Sequence, residues 1–147
     1  MSLKEKLLID LKDAMKARDT VRKDTIQLIR SAILQIEKDK KITLGDDEIT
    51  EVLARELKSR RDALSDIEKS GRADLKEKAD KEIEIILGYM PRQLSRDELE
   101  TIVREAIAET GALSLKDMGK VMKAVMPKVK GRADGNIVND IVKGLLG

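Results

Sequence analysis

The sequence predicts an all-α protein in two parts, an N-terminal domain of about four helices (residues 1–90) and a smaller domain of three helices (residues 91–147). Three observations carry that prediction. Apolar residues recur at helical spacing along nearly the whole chain, capping signatures and glycines punctuate the pattern, and no apolar stretch of period two is long enough for a strand. Composition agrees: hydrophobic residues are 41%, but the only aromatic is Tyr89, so any core is built from Leu, Ile, Val, Ala and six Met. Those side chains suit packed helices.

The first helix begins at a capping box, in which Ser2 can accept from the amide three residues on and Glu5 can reach back to the Ser2 amide. Leu3, Leu7, Leu11, Ala14 and Met15 follow at helical spacing. Asp19 opens a second helix on Val21, Ile26, Ile29, Ile33 and Ile36, which ends in the basic run Lys38 to Lys41. Thr43 to Asp47 reads as a loop plus cap. From Asp46 a long third helix runs on Ile49, Val52, Leu53, Leu57, Leu64 and Ile67 to Gly71, a favourable C-terminal cap. A fourth uses Leu75, Ala79, Ile83, Ile86 and Leu87. Pro91 ends it, since proline disfavours helical geometry at Met90 and has no amide to donate. The domain boundary is expected there.

Beyond it the units are shorter. Ser95 and Glu98 form a second capping box, followed by Leu99, Ile102, Val103, Ala106 and Ile107 and closed by Gly111. Ser114 caps a sixth helix on Leu115, Met118, Val121, Met122 and Val125, which Pro127 ends or kinks. A polar link from Lys128 to Gly135 leads to a last helix on Ile137, Val138, Ile141, Val142 and Leu145.

Composition also excludes chemistry. With no Cys there can be no disulfide, thiolate nucleophile or thiolate-held metal. With no His, the commonest general base near neutral pH and the usual zinc ligand are gone as well. Paired carboxylates such as Glu82 with Glu84, or Asp97 with Glu98, sit at spacings that point in different directions on a helix, so they read as solvated faces. Asp46-Asp47-Glu48 lacks the alternating ligands and distal Glu of a calcium loop, and helix capping accounts for it. There is no phosphate-binding glycine loop and no dinucleotide fingerprint. No catalytic residue, metal ligand or cofactor is therefore expected. The longest apolar runs fall far short of a membrane span of about 20 residues. Met1 to Lys6 carries charges where a signal peptide would be apolar, so the expected location is cytoplasmic.

Thirty Lys and Arg nearly cancel 28 Asp and Glu, so only a local cluster could indicate a partner. Arg55, Lys58, Arg60 and Arg61 are interleaved with Glu51, Glu56 and Asp62, which reads as a salt-bridged helix face. Lys116, Lys120, Lys123, Lys128, Lys130 and Arg132 are different, since within those seventeen residues only Asp117 opposes them. Lys116, Lys120 and Lys123 fall at i, i+4 and i+7, on one stripe of the sixth helix away from its apolar face. Lys128, Lys130 and Arg132 extend the charge along the link, where Gly131 and Gly135 allow backbone amides to approach a phosphate. A nucleic-acid backbone fits such a surface; a merely solvated polar face is the alternative. Without Phe or Trp, stacking on unpaired bases is disfavoured, and shape and backbone contact would dominate.

Several separated segments are familiar. Met118 to Lys123 with Lys130 to Asn139, Leu11 to Lys16 with Asp19, Arg60-Arg61-Asp62, and Tyr89 to Leu94 together resemble the GatB/YqeY domain family, in its stand-alone YqeY-like form, over essentially the whole chain. The resemblance implies a helical N-terminal part followed by a domain shared with the tail of the tRNA amidotransferase B subunit. In that enzyme, a glutamine-dependent carbon–nitrogen ligase, the B subunit helps amidate misacylated tRNA, and its tail helps hold the tRNA. The sequence resembles the tail only, without the ATP- and magnesium-dependent catalytic part, so the chain is not expected to be catalytic alone. The implied role is a tRNA-binding accessory module acting with an amidotransferase or an aminoacyl-tRNA synthetase. The alternative is a helical protein–protein interaction adaptor that binds no nucleic acid and offers a groove between its third and fourth helices.

Overall fold

The structure, a computed structural model, describes residues 1–147 as seven α-helices and one short 3-10 turn, with no strand. The chain divides into two compact units, Met1–Met90 and Pro91–Gly147. No helix is long and apolar enough to cross a membrane.

The first unit holds α1 (Leu3–Lys16), α2 (Thr20–Lys40), α3 (Asp46–Lys69) and α4 (Ala73–Leu87). At the start of α1, Ser2 Oγ accepts from the Glu5 amide at 3.1 Å and Glu5 accepts from the Ser2 amide at 3.4 Å. Asp19 caps α2 by accepting from the Arg22 amide at 3.2 Å. Lys41 ends α2 in the left-handed region, at φ 54°. Gly45 caps α3 with no side chain of its own, while Asp46 Oδ1 accepts from the Leu3 amide at 3.0 Å and ties the start of α3 to that of α1. Glu37 of α2 accepts from Lys4 and from the Leu44 amide, and these hydrogen bonds, that from Lys4 foremost, hold its carboxyl below the usual range.

α2 packs against the other three helices, and α3 pairs with α4. Leu7, Leu11, Ile26, Ile29, Ile33, Ile49, Val52, Leu53, Leu57 and Ile86 fill the space between them. Fully burying each such side chain contributes about 1.5–3 kcal/mol. In this unit two residues counted on apolar faces in the sequence lie outside, Met15 at 54% exposed and Leu75 at 40%, as do Leu115 and Ile137 beyond it. The one buried polar side chain, Thr25, donates to the Val21 carbonyl at 2.7 Å, so burial leaves it satisfied.

The second unit holds α5 (Arg96–Thr110), the 3-10 turn Leu115–Asp117, α6 (Met118–Val129) and α7 (Gly135–Leu146), which pack pairwise around Leu99, Val103, Ala106, Val121, Val125, Val129, Val138, Ile141 and Val142. Gly111 closes α5 at φ 68°, a conformation glycine adopts without strain. At the start of α5, Ser95 Oγ accepts from the Glu98 amide at 3.2 Å and Glu98 accepts from the Ser95 amide at 3.2 Å. Arg92 forks onto the same carboxylate at 3.0 and 2.7 Å.

The Arg92 fork, helped by the Ser95 hydrogen bonds, pulls the Glu98 carboxyl from 4.5 to about 2. Its folded value lies below its unfolded one, so its contribution to stability is complete above pH 4.5 and is lost as pH falls toward about 2. Glu98→Gln keeps a capping side chain but removes the charge. Its thermal midpoint should lie below that of the parent near neutral pH, and the gap should close on acidification through this window. A gap that does not change with pH would assign the effect to the amide's hydrogen-bond geometry and not to the lost charge.

Candidate nucleic-acid interface

The second unit carries ten Lys and Arg against eight Asp and Glu, whereas the first carries 20 of each, so the chain's small positive excess lies entirely beyond Met90. Helix α6 organises it. Val121, Val125 and Val129, at i, i+4 and i+8, are each 0% exposed and face α5 and α7. At 3.6 residues per turn, Lys120 and Lys123 lie about 60° apart and roughly 150° around the helix from Val125. Both are exposed.

Lys116 stands one turn earlier but not on α6. The sixth helix predicted from Ser114 is divided, with Leu115–Asp117 forming a 3-10 turn and α6 beginning at Met118. Ser114 Oγ accepts from the Lys116 amide at 3.3 Å, and Asp117 Oδ2 accepts from the Leu113 amide at 2.9 Å. Asp117, the one acid among these cations, is thus committed to the backbone. Lys116, Lys120 and Lys123 make no ion pair.

The remaining cations are placed differently. Lys128, expected in the link, sits in the last turn of α6, because the helix runs two residues past Pro127 to bury Val129. It reaches Glu109 of α5 at 3.4 Å. Lys130, exposed, follows as the C-terminal cap. Gly131 turns the chain at φ 73°, and its carbonyl accepts from Gln93 at 2.9 Å. Arg132 is half-buried: its carbonyl accepts from the Leu94 amide at 2.9 Å and its Nε donates to the Arg92 carbonyl at 3.5 Å. Gly135 starts α7, where Asp134 Oδ1 already accepts from the Asn136 amide at 2.8 Å. A phosphate at that helix end would meet a carboxylate.

The six cations therefore fall into three groups. Lys116, Lys120 and Lys123 are exposed without counter-charges, Lys130 is exposed beside the turn, and Lys128 and Arg132 are engaged within the unit. The long-range partners Glu109 and Arg92 carry no local sequence signal. No group of three or more Asp or Glu side chains converges as for a metal ion.

Residues 4–146 match the family described as Yqey-like protein. The chain is 27% identical over 147 residues to "Altered inheritance of mitochondria protein 41, mitochondrial" of Pyrenophora tritici-repentis, covering 97% of this chain and 80% of that protein. It is 34% identical to the protein of the same name in Lachancea thermotolerans, with coverage of 76% and 63%, and 34% identical to that in Kluyveromyces lactis, with coverage of 68% and 56%. The match thus spans from just over half to four fifths of these relatives' length. With the family covering nearly every residue of both units, the chain belongs to the Yqey-like protein family.

Proposed function

We propose that this chain is a tRNA-binding accessory module, with Lys116, Lys120 and Lys123 as its principal phosphate contacts and Lys130 at the edge of the same surface. The observation that carries this reading is the exposed, uncompensated lysine stripe on and just before α6, in a unit where Arg92, Arg96 and Lys128 each meet a glutamate. Residues 91–147 contain no aromatic side chain, so recognition rests on the phosphate backbone and not on stacked bases. The module acts with a glutamine-dependent tRNA amidotransferase or an aminoacyl-tRNA synthetase, which supplies the carbon–nitrogen ligase chemistry. Cytoplasmic location is part of the reading, while the relatives' printed names place those proteins in mitochondria.

The adaptor alternative has less to rest on. The cleft at the α3–α4 corner, about 230 Å³, is confined to residues 67–76 at the turn between the two helices and is not a groove running along them.

A fluorescence-anisotropy titration with bulk tRNA tests the proposal. Three phosphate contacts give a slope of about −2 to −3 in log K against log salt. Absence of binding at low salt, or binding indifferent to salt, would remove the proposal.

A further inference from the structure

We propose that the cleft formed by α1, α2 and the end of α4 binds a small zwitterion of the free α-amino-acid type. The cleft measures about 270 Å³, room for a molecule smaller than a drug-sized ligand. Its centre is Tyr89, 9% exposed, whose hydroxyl donates to Asp10 Oδ2 at 2.5 Å. Burial, and then this hydrogen bond, push the Tyr89 hydroxyl well above its usual range, so it remains a neutral donor. Arg22 Nη2 approaches Asp10 Oδ1 at 3.6 Å.

Asp10 is thereby committed, whereas Arg22 keeps donors beyond this contact and Lys6 has no ion pair. Arg22 has five N–H donors, and Asp10 is its one ion-pair partner. Lys6 has no carboxylate partner; its ammonium lies over the Tyr89 ring, 5.4 Å from the centroid. These two side chains form a wall suited to a carboxylate.

The opposite charge lines the α4 side. Glu84, exposed, has no basic partner. Beyond it the chain leaves α4 in a tightened turn, where the amides of Tyr89 and Met90 donate to the carbonyls of Ile86 and Leu87 at 3.0 and 3.1 Å. The carbonyl of Ile85, a residue that lines the cleft, is passed over by these bonds. A helix C-terminus with an unused carbonyl and an adjacent carboxylate favours an ammonium group. Lys6 and Arg22 balance Asp10 and Glu84, so a net anion or a net cation would be welcomed by one wall and repelled by the other. A dipolar molecule satisfies both. The site lies in the first unit and does not depend on the RNA reading of α6.

Tyr89 is the only aromatic residue of the chain, so intrinsic tyrosine fluorescence reports this cleft alone. L-alanine should change it saturably in the millimolar range. N-acetyl-L-alanine, lacking the ammonium, and L-alaninamide, lacking the carboxylate, should each bind at least tenfold more weakly. Arg22→Gln should weaken L-alanine at least tenfold. Glu84→Gln, at an exposed and unpaired position, should do the same to L-alanine while leaving N-acetyl-L-alanine no weaker. No saturable response to L-alanine, an equal response to the blocked analogues, or equal losses for both probes in Glu84→Gln would each overturn the proposal.

Discussion

Replacing Lys120 and Lys123 together by glutamate is expected to weaken tRNA binding at least a hundredfold near 0.1 M salt while leaving the helices intact. Each lysine that neutralises a phosphate releases counterions, and the release exponent of about 0.7–0.9 per contact is worth close to tenfold at that salt concentration. The new carboxylates add repulsion to that loss. Both positions are exposed and make no ion pair, so the change in stability should stay within about 0.5 kcal/mol. The slope of log K against log salt should fall by about two, one for each lost contact. Circular dichroism and the thermal midpoint check that the fold survives.

Lys128→Ala is the internal control. Charge along the chain alone would rank Lys128 with Lys120, but its ammonium already meets Glu109 at 3.4 Å. Its loss should therefore cost much less than the tenfold expected for Lys120→Ala. Equal losses at the two positions would show that net charge, and not the uncompensated stripe, drives binding.

How far the sequence revealed these features depends on the range of the interactions. Capping boxes at Ser2 and Ser95, the Asp19 cap and the turn at Gly111 act within four residues, and they mark helix ends where the structure has them. The sixth helix was harder, because local signals there compete with burial. Ser114 is a good capping residue, yet it caps only a 3-10 turn, and Asp117 turns its carboxylate back to Leu113. Pro127 lacks an amide and crowds the carbonyl four residues before it, which disfavours helix. Here that penalty falls in the last turn, and continuing to Val129 places a fully buried side chain on the stripe of Val121 and Val125. The second effect wins, and it moves Lys128 from the link onto the helix. Of the candidate site, the stripe of Lys120 and Lys123 was legible from spacing. The engagement of Lys128 with Glu109, and of Arg132 with residues 92–94, was not. The cleft around Tyr89 was hidden for the same reason, since Asp10 and Tyr89 are 79 residues apart.

Arg60 shows how much such a distant partner can matter. It looked like one more member of a salt-bridged outer face, yet its side chain is only 15% exposed, with Nη1 at 2.7 Å from Glu56 Oε2 and Nε at 2.7 Å from Glu82 Oε2. Burial works against the guanidinium charge, but the hydrogen bonds to the two glutamates outweigh it and raise its affinity for the proton. The side chain thus joins α3 to α4. Arg60→Ala would leave two half-buried carboxylates, 23% and 19% exposed, sharing one site without a counter-charge. Stranding buried charge in this way costs about 2–4 kcal/mol, which for a unit of this size lowers the thermal midpoint by about 10 °C or more. Loss of the arginine's packing alone would also destabilise, so the two causes must be separated. If stranded charge dominates, protonating either glutamate relieves the repulsion, and the deficit of Arg60→Ala should narrow on mild acidification. Adding Glu82→Gln should recover much of the loss at neutral pH, whereas a packing defect would respond to neither change.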